Sequence, residues 1–158
     1  MESAKGKAAH AIDLCGITKT FGSVVANEDI SLSVRWGEIL ALLGENGSGK
    51  TTLMNILSGI YFPDSGTIRV NGEEQTIRVP RDAFELGIGM IHQHFKLVDV
   101  LTAAENIILG LPGKLRLDMR EVEREIRALT EKYGFEIDPH EKIYEMSVSQ
   151  KQTVEIVK

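Results

Sequence analysis

A chain of 158 residues, 42% hydrophobic and 26% charged, has the make-up of a soluble globular domain large enough to bury a core, and not of a disordered polymer. Its net charge of −5 excludes the global basic field that would draw it to nucleic acid or an anionic membrane. The one cysteine, Cys15, cannot form an internal disulfide, and no uncharged apolar run approaches the ~18 residues of a membrane span.

Residues 1–10 are small and polar, lack the apolar centre of a signal peptide, and read as a flexible leader. From Ala11 to Val34 the pattern is that of β-strands; Ile30, Leu32 and Val34 alternate with Ser31, Ser33 and Arg35, which leaves one wet face. Cys15 sits in the apolar alternation of this stretch, which predicts a buried structural thiol. After Trp36-Gly37, Ile39 to Leu43 is continuously apolar, as expected of a strand covered on both faces. A glycine-rich loop leads into TTLMNILSG, whose Leu53, Met54, Ile56 and Leu57 suit a helix stopped by Gly59. The turn PDSG then opens a strand, TIRVNG, with TIRV at 76–79 as a candidate partner, and GIGMIHQ at 87–93 predicts another strand.

From Thr102 the pattern turns helical. In DMREVEREIRALTEKYG the residues Met119, Val122, Ile126, Leu129 and Tyr133 form one apolar stripe, with Asp118 as N-cap and Gly134 as stop. Such a stripe packs on a neighbouring helix, and under three heptads are present for a coiled coil. The final residues, with Val154 and Val157 three apart, open one more amphipathic helix.

The chemistry lies in Gly44-Glu45-Asn46-Gly47-Ser48-Gly49-Lys50-Thr51, which satisfies GxxxxGK[ST] at every fixed position. Residue frequencies put a chance match at roughly one in two hundred for such a chain. Glycines let successive N–H groups converge on phosphate oxygens, and the helix that follows adds its positive end. Lys50 supplies an ammonium for the β- and γ-phosphates and Thr51 a hydroxyl for Mg²⁺. His92 and His94 flank Gln93, but no third ligand accompanies them at metal spacing.

The run ITKTFG…DISLSVRWGEILALLGENGSGKTTLMNILSGIYFPDSGTIRVNG, with IHQHFKLVDVLTAAENIILG, resembles the nucleotide-binding subunit of ABC transporters, from about Ile12 to Lys158. The resemblance implies a P-loop NTPase of the ABC ATPase type, an α/β fold with an antiparallel β subdomain and a helical subdomain. It implies the cofactors ATP and Mg²⁺, with phosphates held by Gly44 through Thr52. Phe21 matches the aromatic that stacks on adenine, and Gln93 the glutamine that touches Mg²⁺ or the attacking water. Ser147, in Met146-Ser147-Val148-Ser149-Gln150-Lys151-Gln152, falls at the signature, which caps the γ-phosphate of a partner subunit in trans; Ser149 stands there in place of a glycine. HQHF is typical of ATPases serving simple-sugar and nucleoside importers.

The family next carries an apolar strand ending Asp-Glu, the Walker B motif. KLVDV at 96–100 is a decoy, since Lys96 interrupts the run and Val100 stands where glutamate is required. The resemblance therefore implies an N-terminal portion truncated before Walker B, organised as a leader (1–10), a β-rich nucleotide-binding core (11–98), a helical subdomain (99–147) and the start of the helix after the signature (148–158). It implies transmembrane permease subunits and a second ATPase domain, head to tail, as partners, no nucleic acid, and a cytoplasmic place on the inner face of the membrane. The expected activity is binding of ATP without efficient hydrolysis, within a parent ATPase that drives import of a small solute. The other reading kept open is a naturally short, non-hydrolytic nucleotide-binding regulatory module.

Overall fold

A computed structural model of the chain describes residues 9–92, 94–109 and 118–158. The chain divides into two compact units, Met1–Met90 and Ile91–Lys158.

The first unit is built on a four-stranded antiparallel sheet. Strands β1 (His10–Phe21) and β2 (Val24–Arg35) form a long hairpin, and β3 (Ser65–Val70) and β4 (Glu73–Gln75) continue the sheet in the order β2-β1-β3-β4. Helix α1 (Lys50–Leu57) packs on one face and a short helix α2 (Pro80–Glu85) follows. Leu14, Ile17, Ile68 and Val70 from the sheet meet Leu53, Ile56 and Leu57 from α1, with Ile77 and Ala83 closing the core. Burying each large aliphatic side chain here contributes about 1.5–3 kcal/mol.

Several expectations are corrected in this unit. Cys15 is exposed. The strand faces alternate, so with Leu14 buried its neighbour points to solvent. The irregularity between Leu14 and Ile17, where Gly16 has φ 62°, then restores the inward phase for Ile17. The stretch 39–43 is not a strand: among the described residues no strand pairs with it, and Ile39 and Leu43 are 99% and 89% exposed. A doubly covered strand needs neighbours on both edges, and none lies beside this run in the unit. Besides β1, the strand that pairs with β3 is Glu73–Gln75, with Ile68 opposite Gln75, and not 76–79. Residues 88–92 form no strand; Ile88 instead packs against the apolar core.

Helix α2 was not foreseen, although its start carries a clear signal. Pro80 occupies the first turn, and the Asp82 carboxylate accepts from the amides of Arg78 and Val79 at 2.8 and 3.1 Å. Helix α1 ends as expected, with Gly59 at φ 73° donating to the Ile56 carbonyl at 3.1 Å.

The second unit contains α3 (Ala103–Ile108), α4 (Met119–Tyr133), a 3-10 turn (Ile143–Glu145) and α5 (Val148–Val157). Its core joins Ala103, Ala104 and Ile107 with Ile126, Ile143, Met146 and Val154. Asn106, fully buried, accepts from the Val98 amide at 2.7 Å and donates to the carbonyls of Val98 and Thr102 at 3.1 and 3.0 Å, pinning residues 98–102 to α3. The boundaries expected for α4 hold: the Asp118 carboxylate accepts from the Arg120 amide and Gly134 closes the helix at φ 70°. The buried stripe is rotated, however. Thr130 is buried beside Ile126, its hydroxyl donating to the Arg127 carbonyl at 3.0 Å, while Leu129 and Tyr133 are exposed. Packing selects the face, and satisfying its own hydroxyl lets Thr130 lie inside.

Candidate functional site: the loop before helix α1

Residues 44–48 form an exposed loop that runs through half-buried Gly49 into the first turn of α1, where Thr51 is exposed and Lys50 and Thr52 are half-buried. A turn closes inside it, the Ser48 amide donating to the Glu45 carbonyl at 3.2 Å. Gly49 is the N-cap of α1 at φ 83°, ψ 0°, and no side chain caps this end. Its conformation and surroundings both require glycine: a Cβ there would sit 2.2 Å from the Ala26 carbonyl oxygen and 2.7 Å from Asn27 Nδ2. The first-turn amides, without a side-chain acceptor, are the positive end of a helix offered to an anion.

Lys50 turns back over the loop. Its ammonium donates to the carbonyls of Gly44 and Glu45 at 2.8 and 2.7 Å and to Ser48 Oγ at 3.1 Å, so all three N–H bonds are directed at the loop. A phosphate oxygen bound here competes with neutral carbonyls for that cation, and an anion makes the stronger charge-assisted bond. Glu45, Asn46 and Gly47 of the same loop are exposed.

Residues of β2 support the loop from beneath, and the sequence did not reveal them. Asn27 is 5% exposed; its Nδ2 donates to the Gly49 carbonyl at 3.3 Å, while its buried Oδ1 has no partner. Asn27 lies opposite Lys19 in the β1–β2 register, and Phe21 closes the same hairpin opposite Val24. The hairpin therefore carries the Gly49 contact and the Phe21 ring within a few residues of each other. Phe21 is 43% exposed, packs edge-to-face with Tyr61 at a centroid distance of 5.1 Å, and has Lys19 Nζ 5.5 Å from its ring centre. An exposed ring held by neighbours is suited to stacking on a base, and its neighbours Tyr61 and Lys19 are legible only in three dimensions.

Of the remaining sequence-derived candidates, Gln93 lies outside the described residues. Ser147 belongs to the second unit, as the N-cap of α5. Its hydroxyl accepts from the Gln150 amide at 3.3 Å, and Gln150 returns the contact by accepting from the Ser147 amide at 2.9 Å. The Gln150 amide group also donates to Glu141 at 3.1 Å, tying this helix start to the preceding segment. Ser149 lies within α5 and is not among the positive-φ residues, so serine takes this backbone without strain. For a cation, Thr51 is the exposed hydroxyl beside Lys50, and among the described residues no cluster of three or more His, Cys, Asp or Glu side chains could hold a metal ion.

Comparison with known proteins gives the family and the fold. The family model described as ABC transporter matches residues 27–158. The guanosine import ATP-binding protein NupO of Bacillus subtilis is 49% identical over 151 residues, covering 94% of this chain and 30% of that protein. The nucleoside import ATP-binding protein NupA of Lactococcus lactis is 48% identical over 149 residues, covering 93% of this chain and 29% of that protein. The chain thus spans about three-tenths of the length of these relatives. Among solved structures, a nucleotide-free ATP-binding cassette from an ABC transporter superposes with a TM-score of 0.76 at 26% identity, covering 93% of this chain and 63% of that one. A dimeric bacterial ABC transporter cassette gives 0.75 at 25%, covering 92% and 67%. The fold is accordingly the α/β fold of an ATP-binding cassette, and the chain belongs to the ABC transporter family.

Proposed function

We propose that the chain is the N-terminal, nucleotide-binding part of an importer ATPase that works on a simple sugar or a nucleoside. The observation that carries this reading is the loop itself: Lys50 over Gly44–Ser48, at the uncapped start of α1, with Gly49 held by β2. ATP would lie with its phosphates on Gly44 through Thr52 and its base against Phe21. Lys50 would bind the β- and γ-phosphates, and Thr51 with Gln93 would hold Mg²⁺, whose charge neutralises the phosphates. Ser147 would meet the nucleotide of a second ATPase domain in a head-to-tail pair, its helix start directing N–H groups at a γ-phosphate. Permease subunits would place the protein at the inner face of a membrane, and nucleic acid has no part in the reading. The solute class is supported by the names of the relatives, which import guanosine and nucleosides.

The chain alone is expected to bind ATP and not to turn it over efficiently. It matches three-tenths of its relatives' length and contains no apolar strand ending Asp-Glu, the element that would hold Mg²⁺ and orient water. The exposed run Ile39–Leu43 fits the same reading, as a strand whose parallel neighbours come from the rest of a longer polypeptide. Steady-state phosphate release by the purified chain tests the claim. Turnover at or near background is expected; turnover typical of an intact ATPase (1 s⁻¹ or above, in order of magnitude) that disappears in Lys50→Ala would overturn it.

A further inference from the structure

The turn after α1 carries an acid whose contacts all cross to the strand end that bears Phe21. Asp64 Oδ1 accepts from Lys19 Nζ at 2.7 Å, and Oδ2 accepts from both the amide and the hydroxyl of Thr20, each at 2.7 Å. The Asp64 amide donates in turn to the Thr18 carbonyl at 2.9 Å. The three residues that precede Phe21 are thus bound to one residue of a different element. The same turn region delivers Tyr61 against the Phe21 ring, and the ammonium beside that ring is the one that Asp64 holds.

Chemistry gives this arrangement a purpose beyond turn formation. A half-exposed ring at a strand end has rotamer freedom that a stacking ligand must freeze, and that cost is subtracted from affinity unless the ring is ordered beforehand. Asp64 fixes the backbone at Thr20 and the cation over the ring together. The hydrogen bond from Lys19, followed by those from Thr20, keeps its carboxyl ionised down to about 2. The clamp is therefore intact at any physiological pH.

We propose that Asp64 is a positioning residue for base recognition, clamping Lys19 and Thr20 so that Phe21, backed by Tyr61, presents an ordered face to a purine. This rests on the reading of Phe21 as the base-stacking residue. The clamp acts on the base and not on the phosphates, which bind at the loop before α1.

That division gives the test. Isothermal titration of the full 158-residue chain with MgATP and with magnesium tripolyphosphate, which has the phosphates and no base, is compared for Asp64→Ala, Phe21→Ala and the double variant. The proposal expects Asp64→Ala to weaken MgATP binding about fivefold, the low end of what a stacked base contributes, with tripolyphosphate unchanged. It also expects no further loss when Asp64→Ala is added to Phe21→Ala. Equal weakening for both ligands, or an undiminished effect in the Phe21→Ala background, would show a merely structural role and overturn it. Selective loss in Phe21→Ala without loss in Asp64→Ala overturns the clamp and leaves the base reading intact. No selective loss in Phe21→Ala overturns the base reading and the clamp with it. Thr20→Val, which deletes only the hydroxyl bond to Asp64, should show a smaller selective loss, and it decides the matter if Asp64→Ala fails to fold.

Discussion

Asn27 shows at the scale of a single residue how the sheet and the loop are joined. It sits buried between β2 and the start of α1 with one bond made and one oxygen unpaired. A net hydrogen bond is worth about 0.5–1.5 kcal/mol, and an orphaned buried acceptor costs about 1–3 kcal/mol. Removing the whole amide group therefore deletes a gain and a cost of similar size. Asn27→Ala is expected to leave the thermal midpoint nearly unchanged while weakening MgATP binding severalfold, because the Gly49 carbonyl loses its side-chain donor from β2 and retains the Leu53 amide at 2.9 Å. Thermal melts and nucleotide titrations of the same preparations check this; a large drop in midpoint with unaltered affinity would place the role of Asn27 in folding alone. The residue was invisible in the sequence, where it is one asparagine inside a strand pattern. Lys50 and the glycines were legible because their spacing is itself the chemistry, whereas Asn27 and Asp64 matter through contacts 22 and 44 or more positions away in sequence.

At the scale of elements, local signals were read well and burial was not. The β pattern of 11–34 and helices α1, α4 and α5 follow from period and caps, all of which are encoded within a few residues, whereas the turn that folds 10–35 into a hairpin was not foreseen. Ile39–Leu43 has the composition of a covered strand, yet a strand exists only with a partner, and composition cannot supply one. The rotated stripe of α4 has a similar origin, since Thr130 is polar by type but buried once its hydroxyl has bonded within the helix. Cys15 was misplaced because one irregularity in β1 resets the phase of alternation.

The unpaired run also carries a prediction. A contiguous exposed apolar segment with free backbone groups is a template for pairing with another chain. The isolated chain is expected to self-associate with rising concentration, and the double variant Ile39→Lys/Leu43→Lys to reduce this, as read by light scattering coupled to size exclusion. A sharp monomer across the concentration range in the unaltered chain would contradict the assignment of this run as an exposed pairing edge.

At the scale of the whole molecule, two separately packed units divide the chemistry. The first holds the loop, Lys50, Thr51 and the Phe21 ring on one hairpin-and-helix scaffold. The second holds Ser147 at the head of a capped helix, among a core of its own. No helix of the described residues is long and apolar enough to cross a membrane. The reading assigns the phosphates and the base of ATP to residues of the first unit, and their binding can be measured on this chain. The most direct test is calorimetric titration of MgATP into the unaltered chain and into Lys50→Ala. Charge-assisted hydrogen bonds of the kind Lys50 would make to phosphate are worth about 1.5–3 kcal/mol, or roughly 10- to 150-fold in affinity. The account predicts saturable one-to-one binding that weakens by at least about tenfold in the variant. No binding by the unaltered chain, or equal affinity in Lys50→Ala, would contradict it.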